Sequence, residues 1–207
     1  MRTAIKVFDT SVIAAYQSAG NETKKCLEKL FPNVDFSKPV NIMDRVKTWD
    51  DVVDELGYDP VERLLNHTER GDGFNFEPDE IAYIKLKAIA TVLNEGWTPQ
   101  FTTDEYRWFP WFYLYTQDEI DKMSEEKRSR VVRRSSYNAH ASGGVAYAYA
   151  HYDSSFAHSS YGSRLAFKTR ELAEYAGKRF ADIWADFVFR PKAKSVDFSE
   201  AGNGKEG

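Results

Sequence analysis

Three of the chain's four histidines, His140, His151 and His158, stand close together in sequence with Asp153 among them. Imidazole and carboxylate groups ligate metals and move protons, so the cluster invites both chemistries. Its spacings match neither a zinc pattern nor an EF-hand loop, and ordinary surface contacts account for it. A catalytic set needs a nucleophile, a base, a group that orients the base and an oxyanion site. No such set can be assigned, and neither G-x-S-x-G nor a P-loop is present. The expectation is a protein with no catalytic residues, no metal and no cofactor. A second cluster, Lys127, Arg128, Arg130, Arg133 and Arg134, with tyrosines nearby, has the parts to grip single-stranded nucleic acid by phosphate contact and base stacking. The acids just upstream, Asp118, Glu119, Asp121, Glu125 and Glu126, favour a solvated, charge-balanced face instead.

The histidines belong to a larger anomaly. Residues 135–163 read SSYNAHASGGVAYAYAHYDSSFAHSSYGS and use only Ser, Tyr, Asn, Ala, His, Gly, Val, Asp and Phe. Lys, Glu, Gln, Met and Trp supply 42 of the 207 residues, and none of them falls there. Tyr gives large, rigid, amphipathic contact area, while Ser, Gly and Asn give adaptable hydrogen bonding. That mixture suits a binding surface better than a core or a charged face.

The elements that must carry this surface show in its alternation. Ala146, Ala148 and Ala150 fall on one face of a strand, and Val145, Tyr147, Tyr149, His151 and Asp153 on the other. A fainter copy sets Ala139 and Ala141 against Asn138 and His140. The small residues are expected to face the body while the large ones project. Tyr152 falls on the alanine face and is left out of the leading contact set. Gly143-Gly144 reads as a hairpin turn, RVVRRSS as the strand leading in and SRLAF as the closing strand.

Around that centre the chain reads as helices with one aromatic segment. Asn21 is expected to cap a helix through NETKKCLEKLF, ended by Pro32. Thr48, with Asp51 three residues on and Gly57 as stop, brackets TWDDVVDELG. Asp59-Pro60 opens VERLLN, with Pro at the first helical position. A polar loop over 70–77 leads to PDEIAYIKLKAIATVLNEG, with Ile81, Ile84, Ala88, Ile89, Val92 and Leu93 on one face and Gly96 as stop. In WTPQFTTDEYRWFPWFYLYT, Pro99 and Pro110 predict short strands with a bend, and Trp108, Trp111 and Phe112 are expected in the core. DEIDKMSEEKRSR reads as a surface loop or short helix. KTRELAEYAGKRFADIWADFVF is a single amphipathic helix by spacing (Leu172, Tyr175, Ala176, Phe180, Ile183, Trp184, Phe187), weakened at Gly177.

Size and composition bound the rest. A chain of 207 residues, 42% hydrophobic and 15% aromatic, can bury a sizeable core. The net charge of -4 and pI of about 5.7 argue against a general nucleic-acid binder. The single Cys26 excludes an internal disulfide framework and Cys-pair zinc sites, and fits a reducing cytosol. No apolar run is long enough to insert into a membrane. The start of the chain lacks the features of a signal peptide, so synthesis in the cytoplasm is expected.

Two features together resemble a known family. Every residue type of 135–163 can be written by a codon of the form NNC, the set produced when the adenines of AAC codons are randomised. The stretch also runs from RSSYN to GSRLAF. In both respects it resembles the variable region of proteins diversified by retroelements in phages, prophages and bacteria. There an Arg-Gly/Ser-Ser-Trp-like start leads to a closing Gly-x-Arg strand, and the variable positions lie on a C-type-lectin-like fold. The segments LNEGWTP, EYRWFPWF and SRLAFKTRELAEYAGKRF are similar to a group of phage-associated proteins from gut bacteria. Two departures stand out: Tyr137 occupies the place where Trp is common, and a long helix follows Phe167.

The resemblance, which spans residues 97–189, implies a C-type-lectin-like mixed domain there; with the helices read on either side, the expectation is an α+β, C-type-lectin-like mixed domain with N-terminal helices and a C-terminal amphipathic helix. Residues 1–96 would form a helical region packed on the body. Residues 97–189 would form the ligand-binding body with its variable-like surface at 135–163, and 190–207 a flexible tail. The implied function is non-enzymatic recognition of a protein or glycan ligand on a host or target surface, compatible with an oligomer and with a place on a virion. Tyr137, Asn138, His140, Tyr147, Tyr149, His151, Asp153, Phe156, His158 and Tyr161 would make the contacts. The alternatives are a virion structural or assembly component and a nucleic-acid-binding accessory protein.

Overall fold

The helix starts written into the sequence set the frame. The computed structural model describes residue 7 and residues 9–68, 76–100, 102, 104–132, 144–154 and 162–189. Within them, α1 (Asp9–Ser18), α2 (Asn21–Leu30), α3 (Ile42–Arg45), α4 (Trp49–Leu56), α5 (Pro60–Thr68) and α6 (Pro78–Leu93) precede strand β1 (Tyr106–Tyr115). Two short helices follow, α7 (Gln117–Asp121) and α8 (Glu125–Arg128). Then come strand β2 (Gly144–Ser154), a 3₁₀ turn (Ser163–Leu165), α9 (Arg170–Arg179) and α10 (Ala181–Val188).

At α4 the expected capping box is complete: Thr48 Oγ1 accepts from the Asp51 amide at 3.2 Å, and Asp51 accepts from the Thr48 amide at 2.8 Å. The Lys47 amide, donating first among several groups, holds the Asp51 carboxyl below its ordinary range. Gly57 ends the helix at φ 75°, where a side chain would be strained. Asp59 caps α5 by accepting from the Val61 amide at 2.7 Å. Helix α2 differs from expectation, because Asn21 is its first helical residue and Gly20 stands at the cap without a side-chain bond.

Over the described residues the protein is α+β: helices packed against a two-stranded antiparallel sheet, β1 beside β2. One buried cluster joins Ile42, Val52, Leu86 and Leu93 to Phe112, Phe167, Ala176 and Trp184, so the N-terminal helices and the sheet share a core. Trp184 lies at its centre, fully buried, its ring 5.5 Å from that of Phe112. Buried Asn94, just past α6, ties the core to the chain after the 3₁₀ turn. Its amide donates to the Ala166 carbonyl at 2.7 Å, and its carbonyl accepts from the Lys168 amide at 3.0 Å. Tyr175 on α9 places its hydroxyl 2.8 and 2.7 Å from the Met43 and Val46 carbonyls.

Four expectations are corrected here. The aromatic segment is one ten-residue strand that runs straight through Pro110. Trp108 exchanges both backbone hydrogen bonds with Phe167 on the edge away from β2. Residues two apart point the same way, so the N–H that Pro110 lacks belongs to that outer edge, where proline is tolerated. SRLAF is a 3₁₀ turn plus this single bridge at Phe167, not a full strand. The C-terminal helix is two helices, broken at Phe180 (φ -112°, ψ 35°), while Gly177, the expected weak point, stays inside the first of them. The break loses little, because the Phe180 amide still donates to Ala176 and its carbonyl accepts from Trp184. On α6, Ile81 and Ile84 are only half-buried, whereas Ala82, Leu86 and Ala90 join Ala88, Ile89, Val92 and Leu93 in the core. No described helix is long and apolar enough to cross a membrane.

Candidate functional site

The site begins with the register of the two strands. Tyr106 pairs with Ser154, Trp108 with Tyr152, Phe109 with His151, Pro110 with Ala150 and Trp111 with Tyr149. The register then shifts, and Phe112 pairs with Tyr147, which leaves Ala148 as the extra residue of a β-bulge. A bulge moves the alternation by one residue. Before it, Val145 and Tyr147 face the helices; after it, Ala150 and Tyr152 share the side of Trp108, while Tyr149 and His151 share that of Trp111.

The inward alanine face is therefore partly as expected. Ala146 and Ala150 are buried, but so is Val145, which the alternation placed on the projecting side. Tyr147 lies against α9, with Gly177 at its ring and Phe112 meeting it edge-on at 6.0 Å. Tyr149 and His151 project, and Tyr152, assigned by alternation to the alanine face, is 47% exposed. Asp153 stands opposite Arg107 in the backbone register of the strands. Tyr137, Asn138, His140, Phe156, His158 and Tyr161, with Ala139, Ala141 and Gly143, lie outside the described residues.

The sheet brings aromatic side chains together in a continuous run. Tyr106 meets Tyr152 edge-on at 4.9 Å, and Tyr152 lies parallel to His151 at 5.7 Å. His151 meets Trp111 at 5.7 Å, and Trp111 stacks on Tyr149 at 6.2 Å with 20° between the planes. Tyr106, Trp111 and Tyr149 are all exposed, as are the neighbouring Tyr113 and Leu114 on β1. Large aromatics usually end in cores, and Phe112 does. Trp108 is only half-buried, and Trp111 is outside the core altogether. Sequence reasoning thus missed Tyr106, Trp111 and Tyr113. They lie outside the restricted stretch, and only the pairing of β1 with β2 reveals that they extend it.

Beside this run, at the edge of β2, lies a groove of about 580 Å³. Tyr147, Ala148 and Tyr149 form its strand wall, α9 gives Arg170, Glu174 and Lys178, and Arg130 and Val132 close it. Glu174 sits between two cations, 2.9 Å from Arg170 Nε and 3.3 Å from Lys178 Nζ. Burial pushes its carboxyl up, but those two hydrogen bonds outweigh burial and hold it below the usual range. Lys178 Nζ also stands 5.3 Å from the centre of the Tyr147 ring. Burial first, and Glu174 second, push the Tyr147 hydroxyl up to about 12, so it remains a proton donor at any physiological pH.

Of the basic cluster, Arg128 donates to the Asp121 and Met123 carbonyls, and Arg130 pairs with Glu126 at 2.6 Å on an exposed surface. Arg133 and Arg134 lie outside the described residues. Among the described residues, no three His, Cys, Asp or Glu side chains converge as metal ligands.

Fold and site together define an α+β chain whose small sheet displays aromatic side chains next to a charged groove. Comparison with known proteins finds no matching family model, curated protein or solved structure.

Proposed function

We propose that the protein is a non-enzymatic ligand-binding protein of phage or prophage origin, presenting a diversified, Tyr-rich surface on its sheet. The observation that carries this reading is the exposed run Tyr106–Tyr152–His151–Trp111–Tyr149. Contiguous exposed aromatic area on a folded protein marks an interaction site. Its makeup supports a division of labour. Tyr149, His151 and Tyr152 come from the stretch with the restricted alphabet, while Tyr106 and Trp111 come from the strand beside it and give that stretch a fixed backing. In the lectin-like frame that belongs to this reading, β1 and β2, with the bridges at Phe167 and Val132, form the sheet that carries the variable side chains.

The test lies in the DNA around the coding sequence. A reverse-transcriptase gene and a near-copy of the segment encoding 135–163 are expected there, with adenines in the copy wherever the two differ. A locus with no copy, together with close relatives that show no adenine-linked variation, removes the retroelement reading.

A further inference from the structure

The groove beside Tyr147 holds features that the aromatic run does not need. Its lining carries Arg130, Arg170 and Lys178 against a single carboxylate, Glu174. The chain as a whole is acidic, with 28 Lys and Arg against 32 Asp and Glu. Positive charge is therefore gathered here against the global balance. Arg130 adds to it, since its pair with Glu126 is solvent-exposed on both sides and weakly held. Arg170 spends its Nε on Glu174, which leaves the two Nη groups of its fork for a second planar oxyanion.

The Tyr147 hydroxyl is buried and has no hydrogen-bond partner. An unpaired buried hydroxyl costs folding free energy, and native proteins keep few of them. The Tyr147 ring itself lines the groove, with Lys178 Nζ 5.3 Å from its centre. A donor held on the wall of a cationic groove is matched by an acceptor that arrives from outside. The Tyr149 ring, 44% exposed, adds a flat apolar surface at the mouth.

We propose that this groove binds the carboxylate of an acidic sugar, with Arg170 and Lys178 pairing the carboxylate, Tyr147 donating to it and Tyr149 packing on the C–H face of the ring. The inference rests on the ligand-binding reading above and names the ligand's chemical class. A small acidic ligand fits better than a nucleic acid, because a polyanion would meet the chain's overall negative charge. The volume suits one or two sugar rings, within the range of small-ligand sites.

The experiment titrates the full chain with sodium methyl β-D-glucuronide, with neutral methyl β-D-glucoside and with sodium acetate, read by NMR shifts of the tyrosine rings. Saturable binding of the glucuronide alone, weakened by added salt, is the expected result. Arg170→Gln with Lys178→Gln is expected to weaken it about tenfold or more, and Tyr147→Phe several-fold with an unchanged fold. Equal binding of the glucoside or of acetate, no glucuronide response, or an unaltered response in the double variant overturns the inference. The wider reading is judged separately: an adenine-bearing near-copy in the genome with no glucuronide response would remove the acidic sugar and leave the diversified surface standing.

Discussion

A Cβ added to Gly177 would lie 2.6 Å from the Tyr147 ring, and equally close to Cβ of Pro110. Real side chains do not approach so closely, so this glycine sets the distance between α9 and the sheet. In an open helix, Gly→Ala gains up to about 1 kcal/mol from propensity. Here overpacking, at about 1–3 kcal/mol, opposes that gain and is the larger effect. Gly177→Ala is expected to lower stability by about 1 kcal/mol or more in urea unfolding. A neutral or stabilised variant would show that strand and helix part at no cost.

The same tyrosine makes stability depend on alkaline pH. Its hydroxyl is raised in the folded protein from the ordinary value of 10.0 to about 12, chiefly by burial. The folded state therefore holds this proton more tightly than the unfolded chain. The contribution is fully present below about pH 10 and is lost as pH climbs through about 12. Other tyrosines titrate in the same range, so the informative quantity is a difference between proteins. Tyr147→Phe should match or exceed the parent at neutral pH, since it removes a buried hydroxyl without a partner. Between about pH 10 and 12 it should lose less stability than the parent. Parallel loss in both proteins would place the alkaline sensitivity elsewhere.

How far these features show in the sequence depends on whether local or paired geometry decides them. Thr48 and Asp51 act within the first turn of α4 and Gly57 at its other end, and each is legible from its immediate neighbours. So are Asp59-Pro60 and the start of α6 at Pro78. The sheet is different. The bulge at Ala148 follows from the pairing with β1, and nothing in the alternation of VAYAYAHYD announces it. One inserted residue was enough to turn Val145 and Tyr147 inward, onto the side of Ala150, while Tyr152 on that same side stays exposed near the end of the strand. Pro110 misled for a similar reason, because its harm depends on which edge its nitrogen faces. Phe180 breaks the last helix although propensity points to Gly177, whose lack of a side chain serves packing instead.

Asn94 offers a test of the joint between α6 and the end of the sheet. Its side chain, 4% exposed, answers one backbone carbonyl and one backbone amide. Asn94→Ala leaves both groups buried without their partner and opens a small void. Each unsatisfied group costs about 1–3 kcal/mol, so a loss of about 2–4 kcal/mol in chemical denaturation is expected. Asn94→Asp keeps the acceptor for Lys168 but removes the donor to Ala166, and it also buries a charge. It should rescue little. Near-native stability in either variant would show that water replaces the side chain.

The exposed run predicts a sharp contrast between two aromatic pairs. Tyr149 and Tyr152 are 44% and 47% exposed, so truncating them uncovers little core. Their ring contacts with Trp111, Trp108, His151 and Tyr106 are worth about 0.5–1.5 kcal/mol each at most on a shielded surface, and less in water. Tyr149→Ala with Tyr152→Ala should therefore lower the Tm by only a few degrees. Phe112 and Trp184 form the opposite case, in ring contact beneath the sheet and both buried. Truncating either should cost about 3–5 kcal/mol. Trp111, stacked on Tyr149, gives a second readout: with Tyr149 gone its fluorescence should be quenched more readily by acrylamide, while buried Trp184 stays shielded. If the tyrosine pair instead unfolds the protein as severely as Trp184→Ala, these rings belong to the core, and the sheet has no free aromatic face to offer a ligand.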